Sequence, residues 1–194
     1  MKNLTQTIRD HFEASAALLA QTGELYAELI FDVASRIVAS LKESGKVLTC
    51  GNGGSASDAE HIAAEFVGRF RRERASLPAI ALTSCTAAIT SIGNDYGFEQ
   101  IFARQIAGYG RRGDILIAIS TSGKSPNVLA AVRAAREAGL FTVGLTGNRA
   151  EGLAQLADVV FAVPSSVTAE IQQCHIAIAH AICETMDELL SAGG

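Results

Sequence analysis

Four polar side chains on two helical stretches of this sequence have the types and spacing needed for acid–base or metal chemistry. His61 and Glu65 lie four positions apart in a segment of helical periodicity, so both side chains leave the same face of that helix. Gln172 and His180 lie eight positions apart, a little over two helical turns, in a second helical stretch near the end of the chain. Two imidazole nitrogens, a carboxylate and an amide oxygen suit a divalent transition metal such as zinc. The alternative is structural, because such a pair is often merely solvated and polar residues among apolar neighbours often make buried hydrogen bonds.

The helix that carries His61 and Glu65 follows a glycine-rich turn that is suited to an anion. The segment from Cys50 to Ser57 reads C-G-N-G-G-S-A-S. Glycine lets the backbone turn sharply and approach a ligand closely, and the start of the next helix presents free N–H groups and the positive end of the helix dipole. The glycine spacing fits only the loose form G-x-G-x-x-[GA] of the dinucleotide-binding fingerprint, which is a weak signal.

A second turn, rich in hydroxyl groups, follows another predicted strand. From Ser120 to Pro126 the sequence reads S-T-S-G-K-S-P, which puts Ser125 at a predicted helix N-cap and Pro126 at the first helical position. The spacing G-x-x-x-x-G-K-[ST] of the nucleotide loop is absent. A turn of this kind often serves only to cap a helix. Two such turns at the same edge of a sheet favour phosphate binding over capping alone.

The elements that must position these groups alternate along the chain. Short apolar runs predict strands, and helical periodicity predicts helices between them. The strands are predicted at Val47–Cys50, Ala79–Thr83, Ile115–Ser120, Thr142–Thr146 and Val159–Val163. The helices are predicted at about 55–70, 86–94, 97–109, 125–138, 150–156 and 168–191. This alternation indicates an α/β fold with a parallel sheet covered by helices on both faces, in which ligands bind at the carboxyl ends of the strands.

The N-terminal region is predicted to be helical, as two helices or one bent helix with an interruption near Gln21–Gly23. Its apolar residues are more numerous than a surface helix needs, so we expect it to pack against another subunit. At 194 residues the chain is long enough for one well-packed domain and too short for two ordinary ones. We therefore predict a single domain over 1–194, with a helical region at 1–44 and an α/β core at 45–194.

Composition and charge argue against several classes of function. A net charge of −4 gives no reason to expect nucleic acid, whose partners are typically basic. No apolar run approaches the roughly 20 residues of a membrane span, and no signal peptide is visible, so we expect no membrane association and a cytoplasmic location. The four cysteines form no CxxC pair and are expected to be reduced thiols.

Four segments together resemble the sugar isomerase (SIS) domain, and within it the phosphoheptose isomerases. They are 51–65 (G-N-G-G-S-A-S-D-A-E-H-I-A-A-E), 93–99 (G-N-D-Y-G-F-E), 119–127 (I-S-T-S-G-K-S-P-N) and 163–180, which begins V-P-S and ends E-I-Q-Q-C-H-I-A-I-A-H. The resemblance implies a five-stranded parallel sheet flanked by helices, in a flavodoxin- or Rossmann-like three-layer arrangement. It also implies that the terminal helices pack in a homotetramer with sites between subunits.

The resemblance further assigns roles to individual residues. Glu65 and His180 match the family's proposed acid–base pair, and zinc-dependent members hold a zinc ion in each active site at the positions of His61, Glu65, Gln172 and His180. The positions matching substrate- or phosphate-binding residues are Asn52, Gly53, Gly54, Ser55, Asn94, Asp95, Ser120, Thr121, Ser122, Ser125 and Gln172. The segment 83–87 (T-S-C-T-A) lacks the acidic residue that many members carry in T-T-D-T-S.

The reaction that the resemblance implies is the isomerisation of a ketose to an aldose through an enediol. The substrate would be sedoheptulose 7-phosphate and the product D-glycero-D-manno-heptose 7-phosphate or a close stereoisomer, in the first step of ADP- or GDP-heptose biosynthesis. A carboxylate can take the carbon-bound proton, and a second group can shuttle the hydroxyl proton. The resemblance leaves open a non-enzymatic regulator similar to the DnaA-initiator-associating protein, but the complete set of His61, Glu65, Gln172 and His180 favours the enzyme. A third reading is a phosphosugar sensor or a different ketose-phosphate isomerase.

Overall fold

Five parallel strands form the centre of the molecule, as seen in a computed structural model that describes residues 3–192. The strands are β1 (Val47–Gly51), β2 (Ala79–Ala81), β3 (Ile115–Ile119), β4 (Phe141–Thr146) and β5 (Val159–Ala162), in the order β2-β1-β3-β4-β5. In the register of the sheet, Val47 lies opposite Ala79 on one side and Ile115 on the other. The predicted parallel sheet is confirmed, and β2 ends two residues early because Ser84 N–H donates to the Ala81 carbonyl in a turn.

Helices cover both faces of this sheet. They are α1 (Leu4–Lys42), α2 (Gly54–Val67), α3 (Thr86–Tyr96), α4 (Ala103–Tyr109), α5 (Pro126–Glu137), α6 (Glu151–Leu156) and α7 (Thr168–Ser191), with a 3₁₀ turn at Phe98–Gln100. The region predicted as one helix at 97–109 is divided into this turn and α4. None of the helices within residues 3–192 is long and apolar enough to cross a membrane.

The alternation of side chains along the strands produces two separate cores. Ile117 of β3 belongs to a buried cluster with Phe66 of α2 and Ile178 of α7. Its neighbour Leu116 belongs to a second cluster, with Phe102 and other residues of the opposite helical layer. Successive side chains of a strand point to opposite faces, so a continuous apolar run is what a strand covered on both faces requires. The three-layer arrangement is therefore confirmed.

Of the two arrangements predicted for the N-terminal region, the structure shows a single helix, since α1 continues through Gln21–Gly23 over 39 residues. Thr22 lies buried against α7, and its hydroxyl donates to the Leu18 carbonyl at 2.8 Å. Tyr26 also holds α1 to the sheet, since its hydroxyl donates to the Ala162 carbonyl at 2.8 Å. A glycine inside a helix costs only about 1 kcal/mol relative to alanine, and this packing offsets that cost.

Candidate active site

His61, Glu65 and His180 converge in one cluster between α2 and α7. His61 Nε2 lies 2.9 Å from Glu65 Oε1 and 3.4 Å from His180 Nε2. One ligand atom from each of the three residues lies within 4.8 Å of the others. Two imidazole nitrogens and a carboxylate oxygen at such distances have the chemistry of a zinc site.

The parallel course of α2 and α7 creates this cluster. Near the start of the two helices Gln172 Nε2 donates to Ser55 Oγ, and further along both helices His180 meets His61. The two helices therefore run side by side in the same direction. Side chains four apart on α2 and eight apart on α7 consequently face one shared groove, as their spacing predicts.

Burial is the largest cause of a lowered pKa at His180. The neighbouring His61 lowers this pKa further, Glu65 opposes the shift, and Arg71 adds a smaller lowering. The ring of Phe70 covers the imidazole, with 5.2 Å between the ring centroids. A lowered pKa keeps the imidazole neutral at pH 7, which is the form that binds a metal ion or accepts a proton.

Gln172, the fourth candidate ligand, rests on the glycine-rich turn. Its amide donates to Ser55 Oγ at 3.4 Å, and this is its one side-chain hydrogen bond among the described residues. A Cβ atom at Gly54 would lie 2.5 Å from Gln172 Nε2, so only glycine permits this close approach. The structure thus brings three of the four predicted ligands together and holds Gln172 against the adjacent turn.

The glycine-rich turn is tied to the serine-rich turn by a pair of amides. Asn52 Nδ2 donates to Asn127 Oδ1 at 2.9 Å, and Asn127 Nδ2 donates to Asn52 Oδ1 at 2.8 Å. Asn127 is buried in the first turn of α5, directly after the serine-rich turn. Gly53 has a φ of 56°, which a residue with a side chain rarely adopts. Asn127 was not among the predicted site residues, although it stands in one of the four recognised segments.

The serine-rich turn holds its hydroxyl groups close together. Ser120 Oγ lies 2.9 Å from Ser125 Oγ and 3.4 Å from Ser122 Oγ. Ser125 occupies the N-cap position of α5 and Pro126 follows it, as predicted, but the Ser125 hydroxyl bonds to Ser120 and caps no helical N–H group. Hydroxyls that bond to one another can turn instead toward a bound phosphate.

The serine-rich turn also borders a polar cavity of about 210 Å³. Thr121 and Ser122 line this cavity, together with Arg149 and two further hydroxyl residues, Ser166 and Thr168. Lys124 lies in the same turn but is exposed and pairs with Glu151 at 2.9 Å. Hydroxyl groups and one guanidinium thus surround the space next to the predicted phosphate site.

Asn94 and Asp95 lie apart from the cluster in this chain. Both are exposed near the end of α3, and Asn94 Nδ2 donates to Asp95 Oδ1 at 2.7 Å. Within residues 3–192 neither side chain hydrogen-bonds to a predicted site residue outside this pair. Both amide and carboxylate remain accessible to a ligand or to another subunit.

Asp58 is a polar residue at the site that the sequence analysis did not single out. It lies on α2 three residues before His61, and this spacing was the available signal. Burial raises the pKa of its carboxyl, while His61 lowers it. Its Oδ2 atom is buried without a hydrogen-bond partner among the described residues.

Comparisons with known proteins agree with this architecture. Residues 10–147 match the SIS domain. A phosphoheptose isomerase of Roseiflexus sp. is 51% identical over 188 residues, which is 97% of this chain and 95% of that relative. A phosphoheptose isomerase of Rhodospirillum rubrum is 48% identical over 183 residues, covering 94% of this chain and 97% of the relative. The solved phosphoheptose isomerase of Neisseria gonorrhoeae superposes with a TM-score of 0.89 at 41% identity, covering 96% of this chain and 100% of that one.

Identity at this level over almost the entire length favours the enzyme over the regulator. The regulator without enzymatic activity is rejected, because the relatives that match this chain over nearly their full length are phosphoheptose isomerases. The chain belongs to the phosphoheptose isomerase family of SIS-domain proteins, and it is an isomerase.

Proposed function

We propose that the chain converts sedoheptulose 7-phosphate to D-glycero-D-manno-heptose 7-phosphate, or to a close stereoisomer, through an enediol. The observation that carries the proposal is the cluster of His61, Glu65 and His180 on α2 and α7. Helix α2 begins at the glycine-rich turn, which the Asn52–Asn127 amide pair joins to the serine-rich turn. The names of the relatives supply the substrate class. The reaction would be the first step of ADP- or GDP-heptose biosynthesis.

Glu65 acts as the base in this proposal. It takes the proton from C1 of the ketose and later returns a proton to C2, because isomerisation moves one hydrogen between these carbons. His180 moves the hydroxyl proton between the oxygens on C1 and C2. The lowered pKa of His180 supports this role, since a neutral imidazole can accept a proton and then give it back.

The two turns anchor and orient the substrate. Ser120, Thr121, Ser122 and Ser125 bind the phosphate with their hydroxyls and with the N-terminus of α5. The glycine-rich turn, Asn52 to Ser55, lies against the sugar, and Asn94 and Asp95 contact its hydroxyls. Fixing the distant phosphate holds the reacting carbons in register with Glu65 and His180, which lowers the entropic part of the barrier.

The cluster also fits a zinc ion in each active site. His61, Glu65 and His180 would hold it, and Gln172 would join them after leaving its place on Gly54. Zinc, when bound, supplies Lewis acidity toward an oxygen that gains negative charge. The protein's own contribution is the spacing of the three side chains and the neutral state of His180.

We further propose that the whole chain, 1–194, is one SIS domain that assembles as a homotetramer with sites between subunits. The N-terminal half of α1 exposes Leu4, Ile8 and Phe12, at 73%, 58% and 69% of their surface. This helix and α7 border an apolar groove of about 430 Å³ that ends at His180. A second copy that covers the groove would thereby close the site. A cytoplasmic location and the lack of a nucleic-acid partner stay predictions from composition.

Glu65→Gln tests the proposal, with Glu60→Gln as its matched control. Glu60 is an exposed glutamate of the same helix, outside the cluster. Turnover of sedoheptulose 7-phosphate, followed as aldose formed, is expected to fall by about a thousandfold in Glu65→Gln and to stay unchanged in the control. Near-normal turnover by Glu65→Gln would contradict the assignment of Glu65 as base.

A further inference from the structure

Arg74 connects the two helices that carry the proposed acid–base residues. Its Nη2 donates to the Glu65 carbonyl at 2.8 Å, and its Nη1 donates to the Phe66 carbonyl at 3.0 Å, both at the end of α2. Its Nε donates to Asp187 Oδ1 on α7 at 2.8 Å. We infer that Arg74 is a positioning residue that fixes the separation of Glu65 and His180. This inference rests on the proposed function, because it takes these two residues to be the acid–base pair.

The Arg74–Asp187 pair differs from the other ion pairs between the same two segments. Its side chains are only 13% and 4% exposed. Arg71–Glu184 and Arg72–Glu188 join the same loop to the same helix, but each of their side chains is at least half exposed. Exposed pairs contribute little to stability, whereas removal of one partner from a buried pair leaves an uncompensated charge. Of these three arginines, Arg74 is thus the one built into the interior.

Arg74 supplies part of the hydrogen bonding at the end of α2. The last carbonyls of a helix have no partner inside the helix. Here Gly68 N–H serves the Ala64 carbonyl at 2.8 Å, and Ser76 Oγ serves the Val67 carbonyl at 2.8 Å. Arg74 donates to the two carbonyls between them, of which the Phe66 carbonyl also accepts from Leu77 N–H at 3.0 Å. Arg74 also brings a positive charge to the negative end of the helix dipole. Among these donors Arg74 is the one that also bonds to α7.

The loop at 68–78, which carries Arg74, also contacts the cluster directly through Phe70. Asp187 lies seven residues after His180, which is two turns along one face of α7. Phe70, four residues before Arg74, packs its ring 5.2 Å from the His180 imidazole. The loop at 68–78 therefore holds the backbone of Glu65, the helix of His180 and the ring of His180 in one arrangement. If Arg74 loosens, α2 and α7 can shift relative to each other at the cluster.

This role predicts a loss of turnover without a loss of substrate affinity. A displacement of about 1 Å between reacting groups can reduce the rate by about a hundredfold. The phosphate-binding hydroxyls lie on the turn between β3 and α5, which Arg74 does not contact. We therefore expect Arg74→Lys to lower kcat by about 10- to 100-fold and to leave KM within about twofold. Lysine keeps the charge but cannot bond to two carbonyls and a carboxylate with a planar fork.

The experiment compares Arg74→Lys and Asp187→Asn with Arg72→Lys, the exposed arginine of the same loop, and with Glu65→Gln. Thermal unfolding of each variant confirms that the assay temperature lies below its transition. Asp187→Asn is expected to lower kcat in the same direction, by at least about threefold, and Arg72→Lys to change neither constant. If Arg74→Lys does not fold, Asp187→Asn alone decides the question.

The two proposals fail in different ways. If the unmodified protein does not turn over sedoheptulose 7-phosphate, the proposed function is wrong. If Glu65→Gln turns it over as fast as the unmodified protein, the assignment of Glu65 as base is wrong. If Glu65→Gln is inactive but Arg74→Lys and Asp187→Asn both keep the kcat of Arg72→Lys, the positioning inference is wrong. A raised KM with unchanged kcat in Arg74→Lys would equally overturn it, because that result would indicate a role in binding.

Discussion

The reciprocal amide pair of Asn52 and Asn127 joins the two turns that bind the substrate in our proposal, and Asn127→Ala tests its importance. The substitution removes both hydrogen bonds between the turns, of 2.9 and 2.8 Å, and a local one from Val128 N–H to Asn127 Oδ1 at 3.0 Å. Asn127 is 2% exposed, whereas Asn52 is half-buried. Water can therefore replace the lost partner of Asn52 at little cost.

The size of the effect follows from these contacts. Each of the two bonds between the turns contributes about 1 kcal/mol net, so unfolding should become easier by about 2 kcal/mol. For a chain of this length that corresponds to a fall in Tm of about 4–8 °C. A ligand that touches both turns must then order the glycine-rich turn itself. If ordering the turn costs about 1.4 kcal/mol of binding free energy, KM rises by about tenfold, while kcat changes less.

The matched control is Gln105→Ala, which removes a buried amide that hydrogen-bonds to neither turn. Gln105 Nε2 donates to the carbonyls of Leu82 and Ile101, at 2.9 and 2.7 Å. Its loss should lower Tm by a similar amount and leave KM unchanged. Steady-state kinetics with sedoheptulose 7-phosphate and thermal unfolding are measured on both variants. Equal destabilisation with an unchanged KM in Asn127→Ala would refute the reasoning that the amide pair organises the binding site.

Three further predictions concern other parts of the chain. Burial lowers the pKa of His175 to about 4, so the unfolded chain takes up this proton below pH 6.5 while the folded chain does not, and stability falls as the pH falls from 6.5 to 4. Chemical unfolding at pH 7.5 and 5 measures the fall in the free energy of unfolding between these pH values. This fall should be about 2 kcal/mol smaller in His175→Asn than in the wild type, and an equal fall in both would contradict the prediction. Gly54→Ala should keep the fold but displace the Gln172 amide that lies over it, which lowers kcat/KM by about tenfold. Gly23→Ala, with open space around it, should leave kcat/KM unchanged. Elemental analysis should find about one zinc per chain, which is lost in His180→Ala and kept in His11→Ala. Removal of the zinc by a chelator should abolish activity until zinc is returned. Equal zinc content in both variants would argue against the site.

The sheet was predictable from the sequence because each strand is covered on both faces. A strand such as Ile115–Ile119 is buried throughout, so its continuous apolar run is unambiguous. The first helical region was harder, because Gly23 looks like a helix breaker from local propensity alone. Contacts of Thr22 and Tyr26 with distant parts of the chain override that propensity, and no local pattern records them.

The candidate site was predictable to the extent that it depends on helix periodicity. His61 and Glu65 share a face because of their spacing, and this holds in the structure. The same helix periodicity predicts that Gln172 shares a face with His180, but eight residues of helix separate their backbones by about 12 Å. One face of α7 therefore passes two different places, and Gln172 meets the start of α2 where His180 meets its middle.

Arg74 shows why the remaining determinants escape a reading of the sequence. It stands in a run of charged residues, 71–74, whose members look equivalent as solvated charges. Their difference arises only when the loop folds back over α2, which buries Arg74 against Asp187 and leaves Arg71 and Arg72 at the surface. A site made by two parallel helices needs something to fix their relative shift, because side-chain spacing within each helix cannot do so. The two partners of the ion pair that fulfils this need are 113 residues apart in sequence, so geometry reveals the pair and no local motif does.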